Sequence, residues 1–255
     1  MSLTLDLSGK TAFVTGTTSG LGRQMAIALA RAGAKVAITG RRADRLDALK
    51  VEIGKEGGTV FARPLDVTDE ADIKAAMDET EAALGPIDIL VNNAGVSLGK
   101  PLLEYEGADY DFIMDVNTKA VFLCAVEVAR RMIKRGAGGR IINISSIGSH
   151  TVLRGNTVYC MSKAAVSTMT ENMAREWARH DINVTAIAPG YIGTEINDEW
   201  YKTERGRAQI KSFPKRRLGL PEDLDGILVL LCSDQGRLIS GDTITVDDAQ
   251  SKSGI

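Results

Sequence analysis

Short runs of apolar residues alternate along this chain with longer segments in which apolar residues recur at helical spacing. The short runs predict seven strands, at residues 11–15, 35–39, 59–63, 87–91, 140–144, 182–188 and 242–246. The longer segments predict six helices, at residues 21–32, 43–55, 69–84, 110–135, 157–179 and 221–232. Strand and helix therefore alternate through most of the sequence.

The predicted strands carry apolar residues on both faces, most clearly at residues 35–39 and 87–91. Such strands belong in a parallel sheet that helices cover on both sides. We therefore predict an α/β fold with a doubly wound, Rossmann-type, seven-stranded parallel sheet in a single domain over residues 1–255. The longest stretch without strong periodicity, residues 190–220, is expected to be a substrate-binding loop or lid within that domain.

The composition is that of an ordinary globular protein, with 44% hydrophobic and 25% charged residues. A formal net charge of −2 gives no general attraction to nucleic acid or to an anionic membrane. No apolar run approaches the ~18–20 residues that span a bilayer. The three cysteines and two histidines show no metal-ligand spacing. We therefore expect a cytoplasmic protein with a small-molecule substrate and no metal, nucleic-acid or membrane partner.

A glycine-rich segment follows the first predicted strand and leads directly into the first helix. It reads T-G-T-T-S-G-L-G over residues 15–22, which spaces Gly16, Gly20 and Gly22 as G-x-x-x-G-x-G. Such a turn brings free backbone N–H groups and the positive end of a helix dipole to a pyrophosphate. Alone, the motif also fits a plain tight turn, but its place in a βαβ unit favours a dinucleotide site.

The end of the second predicted strand bears on which dinucleotide is bound. Sites for NAD carry an acidic residue there, which accepts a hydrogen bond from the ribose 2′-hydroxyl. This chain has Gly40 followed by Arg41 and Arg42, and a guanidinium suits a 2′-phosphate instead. We predict NADP as the preferred cofactor, with Arg41 as its contact and NAD as the alternative. The competing interpretation places both arginines on a helix surface.

Polar motifs follow two other predicted strands and begin the helix at residues 157–179. Tyr159 and Lys163 are four residues apart and therefore share a helix face. Ser146 precedes Tyr159 by thirteen residues and follows a strand, and N-N-A-G at residues 92–95 follows another. Alone, a Tyr-x-x-x-Lys pair is common on helix surfaces. Together these motifs point to one polar site at the carboxyl edge of the sheet.

In this order, the motifs resemble those of the short-chain dehydrogenase/reductase family, in its single-domain, shorter-chain branch. The matching segments are T-G-T-T-S-G-L-G at 15–22, L-D-V at 65–67, N-N-A-G at 92–95, N-T-K-A at 117–120, I-S-S at 144–146, Y-C-M-S-K at 159–163 and A-P-G at 188–190. The resemblance covers nearly the whole chain. It implies an oxidoreductase that transfers a hydride between NAD(P)(H) and a carbonyl or secondary alcohol.

The resemblance also implies four catalytic residues. Tyr159 would be the general acid and base, and Ser146 would bind the substrate oxygen. Lys163 would hold the nicotinamide ribose and lower the pKa of Tyr159, while Asn117 would hold a water that links Lys163 to solvent. The chemistry is consistent, because a free tyrosine titrates near ~10 and neighbouring cations favour tyrosinate.

The same resemblance implies cofactor contacts, with Asp66 and Val67 at the adenine and Asn93 to Gly95 at the adjoining ribose. Thr194 would meet the carboxamide or the phosphates. The full expected set is Gly16, Thr18, Ser19, Gly20, Leu21, Gly22, Arg41, Asp66, Val67, Asn93, Ala94, Gly95, Tyr159, Lys163, Pro189, Gly190, Ile192 and Thr194. The two longest predicted helices, 110–135 and 157–179, resemble those through which the family dimerises, often to a tetramer, so we expect a homo-oligomer.

Several functional alternatives remain open from sequence. A β-ketoacyl-carrier reductase would need a basic docking patch, for which Arg130, Arg131 and Arg179 are candidates. A sugar or polyol dehydrogenase is the other candidate within the family. A cofactor-binding sensor without turnover is the candidate from another class, although such proteins often lack the tyrosine or lysine.

Other residues near the motifs receive structural interpretations. Ser145 is interpreted as a structural hydroxyl, His150 as a loop histidine without a catalytic task, and Cys160 as a packing residue. The end of the chain departs from the family, because V-D-D-A at residues 246–249 replaces a common glycine pair after the aspartate.

Overall fold

In the computed structural model, which describes residues 5–195 and 197–252, the described strands form one parallel sheet. They are β1 (Thr11–Val14), β2 (Lys35–Gly40), β3 (Val60–Pro64), β4 (Ile89–Asn92), β5 (Gly139–Ile144), β6 (Ile182–Pro189) and β7 (Thr243–Val246). Their order is β3-β2-β1-β4-β5-β6-β7, and every neighbouring pair is parallel. The predicted doubly wound, Rossmann-type sheet is confirmed. Its strand order reverses between β1 and β4, where such sheets bind their ligands.

Helices cover both faces of this sheet. They are α1 (Gly20–Arg31), α2 (Ala43–Lys55), α3 (Glu70–Leu84), α4 (Gly107–Met114), α5 (Ala120–Arg135), α6 (Thr157–Trp177), α7 (Asp198–Lys202), α8 (Glu204–Ser212) and α9 (Asp225–Cys232). Buried side chains of α1, α2 and α9 form the core on one face, and those of α3, α5 and α6 form the core on the other. Among the described residues, no helix is both long and apolar enough to traverse a bilayer.

The strands are apolar on both sides because each contributes to two cores. In β1, Ala12 and Val14 belong to one buried cluster, whereas Phe13 between them belongs to the other. All three side chains are fully buried. This alternation follows from the two-residue period of a strand, and it explains why the strands read as nearly continuous apolar runs.

The long helix predicted at residues 110–135 is interrupted. It begins earlier, as α4, and a π-helical turn at Asp115–Lys119 separates α4 from α5. The turn places Asn117 fully inside the protein, where its amide donates to Val96 O at 2.9 Å and accepts from Val96 N at 2.8 Å. Apolar spacing carries no signal for such a turn, because the residues around it remain helical.

Residues 190–220, predicted to be irregular, contain the short helices α7 and α8. The Thr203 hydroxyl begins α8 by accepting the N–H of Gly206 at 3.0 Å. Buried Tyr201 and Phe213 anchor a segment whose other positions are mostly exposed, which explains its weak apolar periodicity. Its ends meet, because Gly219 N donates to Tyr191 O at 3.0 Å.

Candidate functional site

The turn between β1 and α1 packs tightly against the loop that follows β4. A Cβ atom built on Gly16 would lie 2.8 Å from Ala94 Cα, and one built on Gly22 would lie 2.2 Å from Asn93 Nδ2. Side chains at these two positions would therefore separate the turn from the loop. Gly16 also has a φ of +71°, a conformation that favours glycine.

Hydrogen bonds fasten the same two segments across the point where the strand order reverses. Thr15 Oγ1 accepts the N–H groups of Asn93 and Ala94, each at 3.0 Å. Asn93 Nδ2 donates in return to Thr15 O at 2.9 Å and to Gly16 O at 3.1 Å. The side chain of Asn93 is thus bound to the glycine turn, while Gly95 beside it stays exposed at the cleft.

Of the two arginines after β2, Arg42 contacts this turn, whereas Arg41, the one in the expected set, lies on the side of Asp66. Arg42 Nη2 donates to Thr18 Oγ1 at 2.8 Å and to Ser19 Oγ at 2.9 Å. The charge of Arg41 helps to lower the pKa of Asp66, after the larger effect of the hydrogen bonds from Thr68. The position of Arg42 directly after Arg41 is the sequence feature that could have added it to the expected cofactor residues.

Other residues of the expected cofactor set lie at the ends of β3 and β6 or beside the glycine turn. Asp66 is exposed after β3 and Val67 beside it is buried. Thr194 faces the glycine turn, since a Cβ built on Gly20 would lie 3.5 Å from Thr194 Cγ2. Pro189 ends β6, and Ile192 after it is buried beside Gly219.

Tyr159, Lys163, Ser146 and Asn117 come together at the carboxyl end of β5. Lys163 Nζ donates to Ile144 O at 2.8 Å and lies 5.7 Å from the centroid of the Tyr159 ring. Ser146 Oγ accepts the N–H of Gly148 at 3.0 Å.

The loop after β4 closes over this group. A Cβ built on Gly95 would lie 3.6 Å from Lys163 Nζ and 3.4 Å from Asn117 Oδ1. The site therefore adjoins the glycine turn through the N-N-A-G segment at residues 92–95.

Burial moves the pKa values of the two titratable groups of this cluster in opposite directions, and both shifts favour the uncharged side chain. It lowers the pKa of Lys163 to about 8, because the buried ammonium has lost its hydration. It raises the pKa of Tyr159, while the Ser146 hydroxyl acts on Tyr159 in the opposite direction. Around neutral pH the phenol is therefore protonated in this structure and can donate a proton.

Two buried residues without a predicted role, Ser162 and Asn143, support the cluster through hydrogen bonds. Ser162 Oγ accepts from Asn117 Nδ2 at 3.0 Å and donates to Tyr159 O at 2.7 Å. Buried Asn143 accepts from Asn92 at 2.9 Å and donates to Thr170 at 2.9 Å, which ties β4 and β5 to α6. The sequence feature that could have identified these residues is a polar side chain on an otherwise apolar strand or helix face.

Ser145 and His150 lie beside the cluster. Ser145 Oγ donates to Lys163 O at 3.1 Å and shares a hydrogen bond with Ser167 Oγ at 2.9 Å, as expected of a structural hydroxyl. His150 is exposed, with its ring nitrogen Nδ1 3.1 Å from Ser149 Oγ.

The aromatic side chains of Tyr191, Trp200 and Phe213 on the 190–220 segment, here called the mouth of the site, reach Tyr159 through Tyr191, which is close enough to add to the effect of burial in raising the pKa of Tyr159. The Tyr191 ring stacks on Phe213 with centroids 4.9 Å apart, and its hydroxyl interacts with Gln209. Gln209 Oε1 also accepts from Trp200 Nε1 at 3.1 Å. Within the described ranges, no group of three or more metal-ligating side chains is close enough to hold an ion.

Comparison with known proteins defines the class. Residues 10–205 match the family model of the short chain dehydrogenases, and the chain belongs to this family. The family and the class of reaction expected from the motifs are both confirmed. The protein is an NAD(P)-dependent oxidoreductase that interconverts hydroxyl and keto groups.

Particular relatives lie close to this chain over nearly its whole length. It is 38% identical to gluconate 5-dehydrogenase of Gluconobacter oxydans, covering 94% of each chain. It is 37% identical to 5-keto-D-gluconate 5-reductase of Escherichia coli, covering 94% of this chain and 95% of the relative. It superposes with a TM-score of 0.92 and 36% identity on a gluconate 5-dehydrogenase from Burkholderia cenocepacia in complex with NADP and tartrate, covering 98% of each chain.

Proposed function

We propose that this enzyme interconverts a keto group and a secondary alcohol on a sugar acid, with Tyr159 as the proton carrier. The observation that carries the proposal is the grouping of Tyr159, Lys163 and Ser146 beside the glycine turn. Relatives named for gluconate and keto-gluconate support the substrate class. The nicotinamide cofactor supplies or accepts the hydride when it is bound.

Tyr159 gives its proton to the carbonyl oxygen during reduction and takes it back during oxidation. Ser146 binds the same oxygen. Because Ser146 Oγ already accepts the N–H of Gly148, its own proton is the one it can donate; it lies within reach of the Tyr159 hydroxyl and can turn to the substrate oxygen. A donor fixed where negative charge develops on oxygen stabilises the transition state.

Lys163 positions the ribose and favours the ionised form of Tyr159. One of its three N–H bonds is donated to Ile144 O, and the other two are the ones that would bind the ribose hydroxyls. Its nitrogen lies 5.7 Å from the centroid of the Tyr159 ring, and a cation at such a position favours the phenolate over the phenol.

Asn117 supports a proton path toward Lys163. Its Nδ2 atom is occupied by Val96 O and Ser162 Oγ, whereas Oδ1 accepts a single bond from Val96 N. The free lone pair of Oδ1 suits a water close to Lys163 Nζ.

The cofactor residues fit a dinucleotide, and NADP is our proposed preference. The glycine turn offers free N–H groups at the start of α1. Arg42 is bound to the turn and Arg41 lies toward Asp66, and Gly40 at the end of β2 adds no carboxylate that would repel a 2′-phosphate. A Cβ built on Gly40 would lie 2.7 Å from Thr18 Cγ2, so an acidic residue there would displace Thr18. The relative with bound NADP supports this preference.

A sugar acid also needs a cation for its carboxylate. Lys100 is bound to Asp109 by an ion pair. Arg154 is exposed on the loop between Ser146 and Tyr159, and its side chain has no ion pair or hydrogen bond within the part of the chain that the structure describes. We therefore propose Arg154 as the carboxylate contact.

The contacts of Arg131, one of the three basic residues expected to dock an acyl carrier, count against that alternative, although Arg130 is 70% exposed. Arg131 is only 14% exposed and is bound by Asp78, Glu81 and Glu127. A cation already neutralised by three carboxylates contributes little to docking an acidic carrier protein.

The test is a comparison of kcat/KM across three substrate classes, with NADPH and NADH for the keto substrates and with NADP+ and NAD+ for the alcohols. The panel is 5-keto-D-gluconate and D-gluconate, the neutral polyol xylitol, and acetoacetyl-coenzyme A. We expect the sugar acids to be preferred in the wild type, and Arg154→Gln to remove that preference over xylitol. A higher kcat/KM for the thioester, or for xylitol, contradicts the proposed substrate class.

A further inference from the structure

The turn that follows β7 packs against the segment that forms the mouth of the site. Gln250 in this turn is buried, and its Oε1 atom accepts the N–H of Tyr191 at 2.6 Å. Its Nε2 atom donates to Arg217 O at 3.5 Å. One side chain near the C-terminus thus contacts the 190–220 segment close to both of its ends.

Asp248 makes a second attachment to the same segment. Its carboxylate accepts from Lys215 Nζ at 2.7 Å and from Arg217 Nε at 2.8 Å. These hydrogen bonds hold the pKa of Asp248 below its ordinary value, so the carboxylate is ionised across the physiological range. Phe213, which stacks on Tyr191, precedes Lys215 by two residues.

The backbone of this turn is one that glycine adopts more easily. Asp248 has a φ of +51° and Ala249 a φ of +64°. Asp247 stabilises the turn by accepting the N–H of Ala249 at 2.9 Å and that of Ser251 at 2.7 Å. Asp248 and Ala249 therefore adopt a backbone conformation that is unfavourable for residues other than glycine. In this conformation the Asp248 carboxylate lies between two cations.

The segment held in this way reaches the catalytic tyrosine. The Tyr191 ring is fixed by Phe213 and its hydroxyl by Gln209. Tyr191 lies near enough to Tyr159 to contribute to its electrostatic environment. A displacement of residues 213–217 would therefore be transmitted to the mouth of the site through Tyr191.

We propose that Asp248 is a positioning residue of the substrate site, which holds Lys215 and Arg217 and so keeps Tyr191 in place beside Tyr159. Loss of its charge loosens residues 213–217 and weakens substrate binding through the Tyr191 side chain. The backbone of Tyr191 stays bound to Gln250 and Gly219, so the neighbouring residues of the expected cofactor set keep their place. The kinetic part of the inference rests on the proposed function, whereas the mobility of the segment is measurable without any substrate.

Three variants separate the charge from the backbone conformation. Asp248→Asn removes the charge and keeps a residue that tolerates positive φ, and Asp248→Gly removes the charge and relieves the backbone. Ala249→Gly is the matched control, because it relieves the neighbouring position and keeps the carboxylate. We expect both Asp248 variants to raise the substrate KM about threefold to tenfold, the scale of two partly exposed ion pairs, with the NADPH KM unchanged. Ala249→Gly should leave both constants unchanged.

Hydrogen exchange of the free enzyme gives the second readout. Amides of α8 should exchange faster in both Asp248 variants than in the wild type and in Ala249→Gly, although Asp248→Gly melts no lower than the wild type. Unchanged exchange, an unchanged substrate KM, or an equal rise of KM in Ala249→Gly would each overturn the positioning role. If no sugar-derived substrate is turned over, the proposed function fails, and hydrogen exchange alone decides whether Asp248 holds the segment.

Discussion

At the residue scale, the proposed chemistry depends on two buried side chains with displaced pKa values. Burial raises the pKa of Tyr159 and lowers that of Lys163 to about 8. The protonated phenol is ready for reduction, whereas oxidation needs the phenolate. A cation beside the ring is therefore more important for oxidation than for reduction.

Tyr159→Phe should lower kcat by about 10²–10⁴, because it removes the proton carrier and retains the ring. NADPH binding, measured by fluorescence titration, should stay close to that of the wild type. Tyr110→Phe is the control, because it removes an exposed hydroxyl from α4. Near-wild-type kcat in Tyr159→Phe on any accepted substrate would refute the proposed mechanism.

Lys163→Ala should move the pH optimum of oxidation upward by about one pH unit or more, since loss of a nearby ammonium raises the pKa of Tyr159. The same change should raise the KM for the cofactor, because the proposed ribose contact is lost. Oxidation rates of the wild type and of Lys163→Ala are measured from pH 6 to pH 11, and Lys74→Ala on α3 serves as the control. An unchanged pH profile with weaker cofactor binding would leave Lys163 a binding residue only.

The spacing of the motifs was enough to predict that Ser146, Tyr159 and Lys163 lie in one site, because each follows a strand or begins a helix at one edge of the sheet. Spacing could not identify the bonds that fix them. Ser162 and Asn143 form buried contacts with Asn117 and Thr170, residues distant in sequence. Such pairings depend on how helices pack on the sheet, which the order of elements does not determine.

At the scale of elements, the junction between β2 and α2 is proposed to select the cofactor. Arg42 is bound to the glycine turn, whereas Arg41 extends toward Asp66. The two arginines therefore have separable effects. Loss of Arg41 weakens only a contact to the 2′-phosphate, and loss of Arg42 also removes support from Thr18 and Ser19.

Arg41→Ala should lower the ratio of kcat/KM for NADPH over NADH about tenfold, the value of one hydrogen bond to a charged group. Arg42→Ala should lower the ratio as well and should also weaken NADH binding. Arg31→Ala, which removes a guanidinium paired with Glu56 at the far end of α1, is the control. A wild type that prefers NADH, or an unchanged ratio in both variants, would contradict the arginine proposal.

The elements themselves were largely predictable. The predicted strands begin and end within two residues of the observed ones, because burial on both faces makes them apolar. The π turn and the short helices of the 190–220 segment escaped prediction for physical reasons. The π turn is set by the bonds of Asn117 to Val96. Helix α8 is held by its N-terminal cap and exposes most of its residues, so apolar periodicity was absent.

At the scale of the whole molecule, α4, α5 and α6 expose large apolar side chains. Phe112 on α4, Phe122 on α5 and Met161 on α6 are each nearly half exposed. Exposed apolar surface of this kind commonly marks an interface between protein molecules. It supports the proposal that copies of this chain associate through these helices.

Light scattering at micromolar concentration should therefore give the mass of a dimer or a tetramer, and Phe122→Glu should shift the distribution toward the monomer. Val51→Glu, which changes an exposed apolar residue on α2, should leave the mass unchanged. A wild-type monomer under these conditions would contradict association through α4, α5 and α6.

The two ends of the 190–220 segment lie side by side, and this arrangement affects how the fold can diversify. Gly193 and Gly219 are hydrogen-bonded across the base, as are Gly219 and Tyr191. The chain therefore leaves and re-enters the sheet region at nearly one point. A loop with adjoining ends can be lengthened, shortened or exchanged at small entropic cost. New substrate preferences can thus be grafted onto the same hydride-transfer machinery, with the strands and their glycine turn left intact.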